Sequence, residues 1–360
     1  MTDISFIIVN YNSLNNIKNL LKSFNILFNK NDLVKCSYPN SNYLKTSEFF
    51  NKIDNNINKD DNNGLTSEDK KNHKYEIIIV DNNSNDGSLE FLEKEITNKE
   101  KNIVLINLKK NLGFGKASNI GANIAKGRYL IFLNPDTLII NENIYDLINF
   151  FEKKENVNEK IGVIGVKIIN EDGSLQYSCR GFPTILTQFY ESFFLFKVFR
   201  KSKIFGRYFM TWWDHNNIME VDWVSGSFMF IKNEVFKNIG KFDENYFMYS
   251  EDADLCLRLK KEGFKNYYYP FYSIIHLDGA IAKRDPVSRE LQLLKSKILY
   301  FKKNYSNLYA RAINFLCFIG IINRFFLNFI LYIFTFKNNY NLKVKLYFKV
   351  LKSYFDVNKI

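Results

Sequence analysis

Short apolar, largely β-branched runs recur along the first part of the chain, and each stops at a polar cluster. Ile4 to Val9 ends in Asn10-Tyr11-Asn12, Glu76 to Val80 in Asp81-Asn82-Asn83-Ser84, and Tyr129 to Leu133 in Asn134-Pro135-Asp136. Ile103 to Asn107 is a further run of the same kind. Such runs predict strands buried on both faces. Between them the apolar spacing becomes helical. Ser13 caps a predicted helix to about Phe28, with Ile17, Leu20, Leu21 and Phe24 on one face; Asp86-Gly87-Ser88 opens a second; Leu112 to Ala125 predicts a loop entering a third. Strand and helix alternate over the first ~140 residues, which predicts a mostly parallel α/β sheet flanked by helices.

The alternation weakens afterwards. Ile161 to Ile169 predicts a strand, and Asn170-Glu171-Asp172-Gly173 supplies turn chemistry into a second strand, Ser174 to Cys179. Thr184 to Trp213 is aromatic-rich and predicts partly exposed helix; Val221 to Ile231 predicts one strand; Glu251-Asp252-Ala253-Asp254 opens a helix; Phe264 to His276 is extended and broken by Pro270. Leu308 to Phe336 is apolar but interrupted by Arg311 and Arg324, which favours interfacial or core helices over a spanning one. The tail, Lys337 to Lys359, alternates Lys with Leu, Val, Tyr and Phe, as a membrane-surface helix does and as ordinary packing also allows. Residues 29–74, rich in Asn, Lys and Asp, predict a low-complexity, flexible insert. The expected organisation is an α/β domain over 1–283 and a helical, apolar and basic extension over 284–360 that associates with membranes.

Composition adds three points. With 46% hydrophobic residues the chain can bury a sizeable core. A formal charge of +12, from 50 Lys and Arg against 38 Asp and Glu, points to anionic partners: nucleic acid, an anionic membrane or a nucleotide diphosphate. The signal is diluted by a general excess of Lys, Asn, Ile, Phe and Tyr. Cys36, Cys179, Cys256 and Cys317 form no CxxC pair, so neither a zinc site nor a disulfide framework is indicated and a reducing compartment is expected. The N-terminal apolar run is too short for a signal peptide, which predicts a cytoplasmic protein.

Familiar catalytic loops are missing. Gly113-Phe114-Gly115 opens like a dinucleotide fingerprint, but the next glycine, Gly121, comes too late and no strand directly precedes it. There is no GxxxxGK[ST], HExxH or GxSxG, and His73, His215 and His276 have no zinc spacing. What remains is a set of carboxylates at element ends: Asp81, Asp136 and the pair Glu251-Asp252. Ligands in open α/β sheets bind at the carboxyl ends of strands. A carboxylate there suits a hard divalent cation, and the cation suits a diphosphate. Together with a general base for an attacking hydroxyl, the set fits sugar transfer from a nucleotide donor. A nucleotidyltransferase making sugar nucleotides, or a non-catalytic sugar- or lipid-binding protein, would use a similar frame.

The stretches FIIVNYNS, EIIIVDNNSNDGS, NLGFGKASNIGANIAKGRYLIFLNPD, EDGSLQYSCRGFPT, VDWVSGSFMFIK and GKFDENYFMYSEDADLCLRLKKEGF, followed by IIHLDG, stand in an order that resembles the inverting family 2 glycosyltransferases of GT-A fold, rhamnosyltransferase-like branch. The resemblance runs from Ile4 to about Gly279, apart from the insert. It implies that Tyr11 and Asp81 flank the nucleotide and that Gly113, Phe114, Asn119 and Asn134 line the donor pocket. Asn134-Pro135-Asp136 takes the place of the DXD motif, so Asp136 is implied as ligand of a divalent metal, Mg or Mn, with His276 beside it. Asp252 takes the place of the catalytic base, and Trp223 and Glu251 fall on the acceptor side. Asn134 departs from the strict motif, and no QxxRW motif is present. The implied reaction moves a sugar such as rhamnose from a dTDP- or UDP-sugar to a glycan or lipid-linked saccharide, at the inner face of the plasma membrane and with no nucleic-acid partner.

Overall fold

The structure, a computed structural model, describes residues 2–27, 74–96, 102–141, 143–277 and 285–357. The 29–74 insert lies outside the described residues apart from Lys74, as do Asp278 and Gly279. Four parallel strands, β1 (Ile4–Asn10), β2 (Tyr75–Asp81), β3 (Ile103–Asn107) and β4 (Tyr129–Leu133), form one half of the main sheet in the order β3-β2-β1-β4. Their side chains alternate between two cores. Phe6 and Ile8 face α1 (Leu14–Leu27) and α4 (Tyr145–Glu155), whereas Ile7 and Val9 face α3 (Phe114–Ile124). Burial on both faces explains why these strands read as unbroken apolar runs. The helix α2 (Ser88–Ile96) completes the first half.

Beyond β4 the sheet becomes mixed. β5 (Thr137–Ile139) follows the Asn-Pro-Asp turn; β6 (Ile161–Ile169) leads through the Asn170–Gly173 turn to the short β7 (Leu175–Gln176) and β8 (Cys179–Arg180). The two helical pieces α5 (Ile185–Ser192) and α6 (Leu195–Val198) come next, separated by Phe194 at φ 58°. Turns occupy the rest of the aromatic stretch, so the expected helix covers only its first part. The single strand expected over Val221 to Ile231 is three: β9 (Met219–Val221), β10 (Trp223–Val224) and β11 (Phe228–Lys232). The breaks have a cause. The Asp222 carboxylate accepts from Phe182 N at 2.8 Å and pairs with Lys260, and Gly226 N is drawn to Asp252, so neither residue continues a ladder.

After α7 (Asn233–Asn238) and α8 (Glu251–Lys261), β12 (Lys265–His276) runs straight through Pro270. The expected break is instead a register shift against β6 between Tyr269 and Ser273, the irregularity that accommodates a residue without an N–H. The order across the mixed half is β4-β11-β6-β12-β5, with β7 beside β6, β9 beside β12, and β8 paired with β10.

Three helices close the chain: α9 (Pro286–Asn304), α10 (Asn307–Thr335) and α11 (Asn338–Val357). α9 packs on the α8 side of the sheet, where Ser296 Oγ donates to Met248 O and Asn304 Nδ2 donates to Asp254 at 2.9 Å. α10 is one continuous helix of 29 residues, long and apolar enough to cross a membrane. Two of its polar groups turn inward: Asn323 donates to Ser192 O at 3.1 Å and Arg324 pairs with Glu191 at 3.2 Å. Phe326, Phe329, Ile330, Ile333 and Phe334 are exposed, and only 22% of its most apolar 18 residues are buried. Exposed Lys337, Lys343, Lys345, Lys349 and Lys352 follow on and before α11.

Candidate active site at the strand ends and the start of α8

The β1–β2 register places Asn10 opposite Asp81 at the carboxyl ends of both strands. Asp81 is fully buried, and both of its oxygens are used: one accepts from Asn10 Nδ2 at 2.7 Å, the other from Ser84 N at 2.9 Å. The adjacent Asn82 donates to Asn111 Oδ1 and Gly113 O and accepts from Leu112 N. This bracket shapes the loop into α3. Gly113 takes φ 82°, and a Cβ there would lie 2.0 Å from Phe247 O, so only glycine allows the 113 and 247 backbones to meet. Asn119, expected to line the donor pocket, is buried and spends its amide on the loop ahead of α8, donating to Phe242 O and Glu244 and accepting from Phe242 N. It fixes a wall of the site through that loop. Phe114 stands nearer the centre: its ring packs edge-on against Phe242 and lies within 4 Å of a Cβ built on Gly226, as does Asp252. Tyr11 and Asn134 are half-buried, with no side-chain hydrogen bond to a described residue.

Asp136 and His276, 140 residues apart, meet because β5 pairs antiparallel with β12, setting His276 opposite Thr137. Leu277 N donates to Asp136 O at 2.8 Å and closes the corner. His276 Nε2 then lies 3.2 Å from Asp136 Oδ1, and Nδ1 lies 2.7 Å from Gln176 Oε1. Gln176 donates its Nε2 to Asn170 Oδ1, and Asn170 donates to Ser174 Oγ, so the amide orientations are fixed along the chain of bonds. An amide oxygen only accepts, which puts a proton on Nδ1. A neutral His276 therefore turns the Nε2 lone pair toward the Asp136 carboxylate. Two lone pairs face each other, an arrangement that a cation between them, or a second proton, relieves. Cis ligands of an octahedral ion with bonds near 2.1 Å are separated by about 3 Å, so the pair fits a divalent cation. Among the described residues no cluster of three His, Cys, Asp or Glu surrounds it.

Asp252 is the second residue of α8. Tyr249 and Ser250, just before it, both hold left-handed backbone, at φ 70° and 68°, a conformation that side chains with a Cβ adopt at some cost. One Asp252 oxygen accepts from Gly226 N at 2.9 Å and the other from Ala253 N at 2.8 Å. Burial raises its carboxyl above the ordinary range; these two N–H groups and the Arg180 charge act against that shift. Glu251 is 5% exposed, and its Oε2 is buried without a hydrogen-bond partner. Burial first, and the Asp252 charge second, push it well above the usual carboxylate range, which favours its protonated form. Trp223 is 7% exposed and packs as a strand core residue, its indole donating to Gly181 O at 3.0 Å. The cation facing it, Arg180, was not singled out by the sequence reading, nor was Gln176; both lie in the quoted stretch EDGSLQYSCRGFPT.

Comparison with known proteins fits this layout. Residues 64–218 match the family model described as glycosyl transferase family 2, which takes in Asp81, Gly113, Asp136, Gln176 and Arg180 and stops short of Trp223, Asp252 and His276. Rhamnosyltransferase WbbL of Escherichia coli K12 is 34% identical over 175 residues, 46% of this chain and 60% of that protein. The N-acetylglucosaminyl-diphospho-decaprenol L-rhamnosyltransferase of Mycobacterium tuberculosis is 26% identical over 249 residues, 64% of this chain and 75% of that one. The match thus spans 60% of the length of the Escherichia coli relative and more of the mycobacterial one. A mannosyltransferase of Pyrobaculum calidifontis, solved with GDP-mannose and Mn2+, superposes with a TM-score of 0.50 at 13% identity, covering 98% of this chain and 87% of its own, and shows that the GT-A architecture is shared. The chain is similar to family 2 glycosyltransferases, and rhamnosyltransferases are among its curated relatives.

Proposed function

We propose that this protein is a metal-dependent, inverting glycosyltransferase that moves a sugar, rhamnose on the likeness to its relatives, from a nucleoside-diphosphate donor to a hydroxyl of a lipid-linked saccharide. The observation that carries the reading is a pair of neighbouring backbone bonds that brings two different groups to one end of the sheet: Asn134 N, at the head of the turn that carries Asp136 to His276, donates to Ser227 O, and the adjacent Gly226 N donates to Asp252. Asp136 and His276 would hold a divalent cation, which when bound neutralises charge on the departing diphosphate. Tyr11, Asp81 and the Gly113–Phe114 corner border the nucleotide. Asp252 takes the proton of the acceptor hydroxyl as its oxygen forms the new bond to the anomeric carbon. The bond from that carbon to the diphosphate breaks, and the electron pair leaves with the nucleoside diphosphate. Two N–H groups aimed at Asp252 fix its orientation while leaving lone pairs for that proton.

The outward phenylalanines of α10 and the lysines around α11 suit the surface of an anionic membrane, where a lipid-linked acceptor resides. The helical extension over 284–360 would then hold the domain over 1–283 against the cytoplasmic leaflet. Replacing Phe326 and Phe334 with Glu should reduce sedimentation with anionic vesicles; unchanged sedimentation would remove this part of the reading.

The deciding experiment incubates the protein with a panel of dTDP-, UDP- and GDP-sugars, with Mg2+ or Mn2+ and a short-chain lipid-linked N-acetylglucosamine. Release of nucleoside diphosphate that depends on acceptor and on one sugar is expected. Release of inorganic diphosphate from a nucleoside triphosphate and a sugar phosphate would instead identify a nucleotidyltransferase, and no turnover with any donor would leave a binding protein.

A further inference from the structure

Arg180 occupies a position that its surroundings in the protein do not account for. It lies on β8 directly opposite Trp223 in the β8–β10 pair. Its guanidinium is enclosed by three rings, at 5.2 Å from Trp223, 5.1 Å from Phe209 and 5.5 Å from Tyr208. The enclosure is built by a backbone crossing. Gly181 N donates to Tyr208 O at 3.0 Å, and a Cβ on Gly181 would come within 2.8 Å of Arg207 O, so the aromatic segment lies directly on the strand. Aromatic faces hold a guanidinium in place and leave its N–H edge available.

That edge is unused. Nε is buried with no hydrogen-bond partner, and no described residue accepts from the guanidinium. A buried cationic donor without an acceptor is unfavourable, and native structures seldom keep one without a ligand or another role. Arg180 is nevertheless only half-buried as a residue, so part of it remains accessible. Trp223, opposite Arg180, lies three residues before Gly226, whose N–H holds Asp252, and the Arg180 charge also acts on Glu191, on the helix that packs against α10. Arg180 therefore neighbours both the proposed base and the helix that supports the apolar, basic face of the molecule. In a saccharide joined to lipid through a diphosphate, the hydroxyl that attacks and the diphosphate are separated by a sugar ring. That order, base then anion then lipid, matches Asp252, Arg180 and α10.

We propose that Arg180 is the anion site of the acceptor, binding the diphosphate that links its sugar to its lipid through the free edge of a guanidinium held in the Trp223–Tyr208–Phe209 cage. The assignment rests on the glycosyl-transfer reading above and makes Trp223 a support for the acceptor site rather than a surface the sugar stacks on. Planar N–H pairs recognise phosphate oxygens in two-point fashion, which a lysine cannot reproduce.

The test is equilibrium binding to the full chain by calorimetry, using farnesyl diphosphate, farnesyl monophosphate, farnesol, inorganic diphosphate and the free nucleoside diphosphate. Wild-type protein should prefer farnesyl diphosphate to farnesol. Arg180→Gln should weaken farnesyl diphosphate roughly 10-fold or more, the scale of losing charge-assisted bonds, while farnesol and nucleoside diphosphate bind as before. Competition by inorganic diphosphate would show that the anion alone is recognised; failure to compete would require the lipid as well. If Arg180→Gln does not fold, Arg180→Lys decides by the same readout, with farnesyl diphosphate weakened and nucleoside diphosphate unchanged. Unaltered farnesyl diphosphate affinity in the folded variant, or an equal loss for the nucleoside diphosphate, overturns the proposal. Either result leaves donor turnover by the wild-type protein intact, so the fate of the glycosyltransferase reading is decided separately.

Discussion

Around Asp81 the polar groups close on one another. Asn10, Ser84, Asn82, Asn111 and the Gly113 backbone use each other's donors and acceptors, and Asn119 is spent on the loop at Phe242. Around Asp252 they do not. Glu251 Oε2 and Arg180 Nε are buried without partners, and two consecutive residues before the helix hold left-handed backbone. The two regions meet at Gly113-Phe114 and Gly226, so the difference is informative. The strand-end side is complete in itself, which makes it a preformed frame for a ligand that arrives first. The helix side keeps unfavourable burial and backbone strain that the surrounding fold over-determines, a pattern expected where a second ligand and a proton transfer complete the site.

The sharpest way to break this comparison is Asp252→Asn. The amide keeps the shape and removes the basicity, so turnover should fall at least ~100-fold while nucleoside diphosphate affinity stays unchanged. Loss of both together would mean that the two sides are one structural unit. In the wild type, Asp252 is raised above the ordinary carboxylate value, so the acid limb of the rate profile should lie above that value, with activity lost as falling pH protonates the base.

A smaller effect probes the strand-end side. His276→Ala should raise the Mn2+ concentration needed for half-maximal activity by ~10-fold or more, and Gln176→Ala should move it in the same direction by acting on the imidazole. Direct Mn2+ binding followed by electron paramagnetic resonance should shift in parallel. Unaltered metal titration with only a lower melting temperature would make His276 structural.

The smallest effect is on stability. Glu251 has its folded value raised from an ordinary 4.5, so the native state holds a proton that the unfolded chain releases. Its contribution is fully present below the unfolded value and is lost as pH rises toward the folded one. Glu251→Gln removes that loss. The variant should match wild type near pH ~4 and gain up to about 1.4 kcal/mol per pH unit above it until the folded value is reached. A difference in melting temperature that does not change with pH would contradict a buried, protonated Glu251.

The parts of this account legible in sequence share a physical basis. Asp81 and Asp136 could be placed because a strand buried on both faces is a local apolar run, and its end is where the run stops. Asp252 could be placed because acids gather at a helix start. Pairing between distant segments has no such local signal. Gln176 reaches His276 only through the β7–β6–β12 neighbours, and Arg180 finds its cage only because residues 207–209 fold back across Gly181. Trp223 and Asn119 were expected on the acceptor and donor sides; their polar atoms are occupied by Gly181 O and by the Phe242 backbone, which spacing along the chain cannot reveal. The strand read through Val221 to Ile231 failed for a related reason: Asp222 and Gly226 take partners outside the sheet.

The central claim is a single displacement driven by a single base. Glu251, beside Asp252, is buried and pushed above the usual carboxylate range, so the account has Asp252 act alone and as a base, without a carboxylate nucleophile. The most direct measurement is proton NMR of the first-formed product from whichever nucleotide sugar the panel identifies, taken before any anomer can interconvert. The account predicts an anomeric configuration opposite to that of the donor from the earliest time point. A product with the donor's own configuration would require a glycosyl-enzyme intermediate and would contradict it.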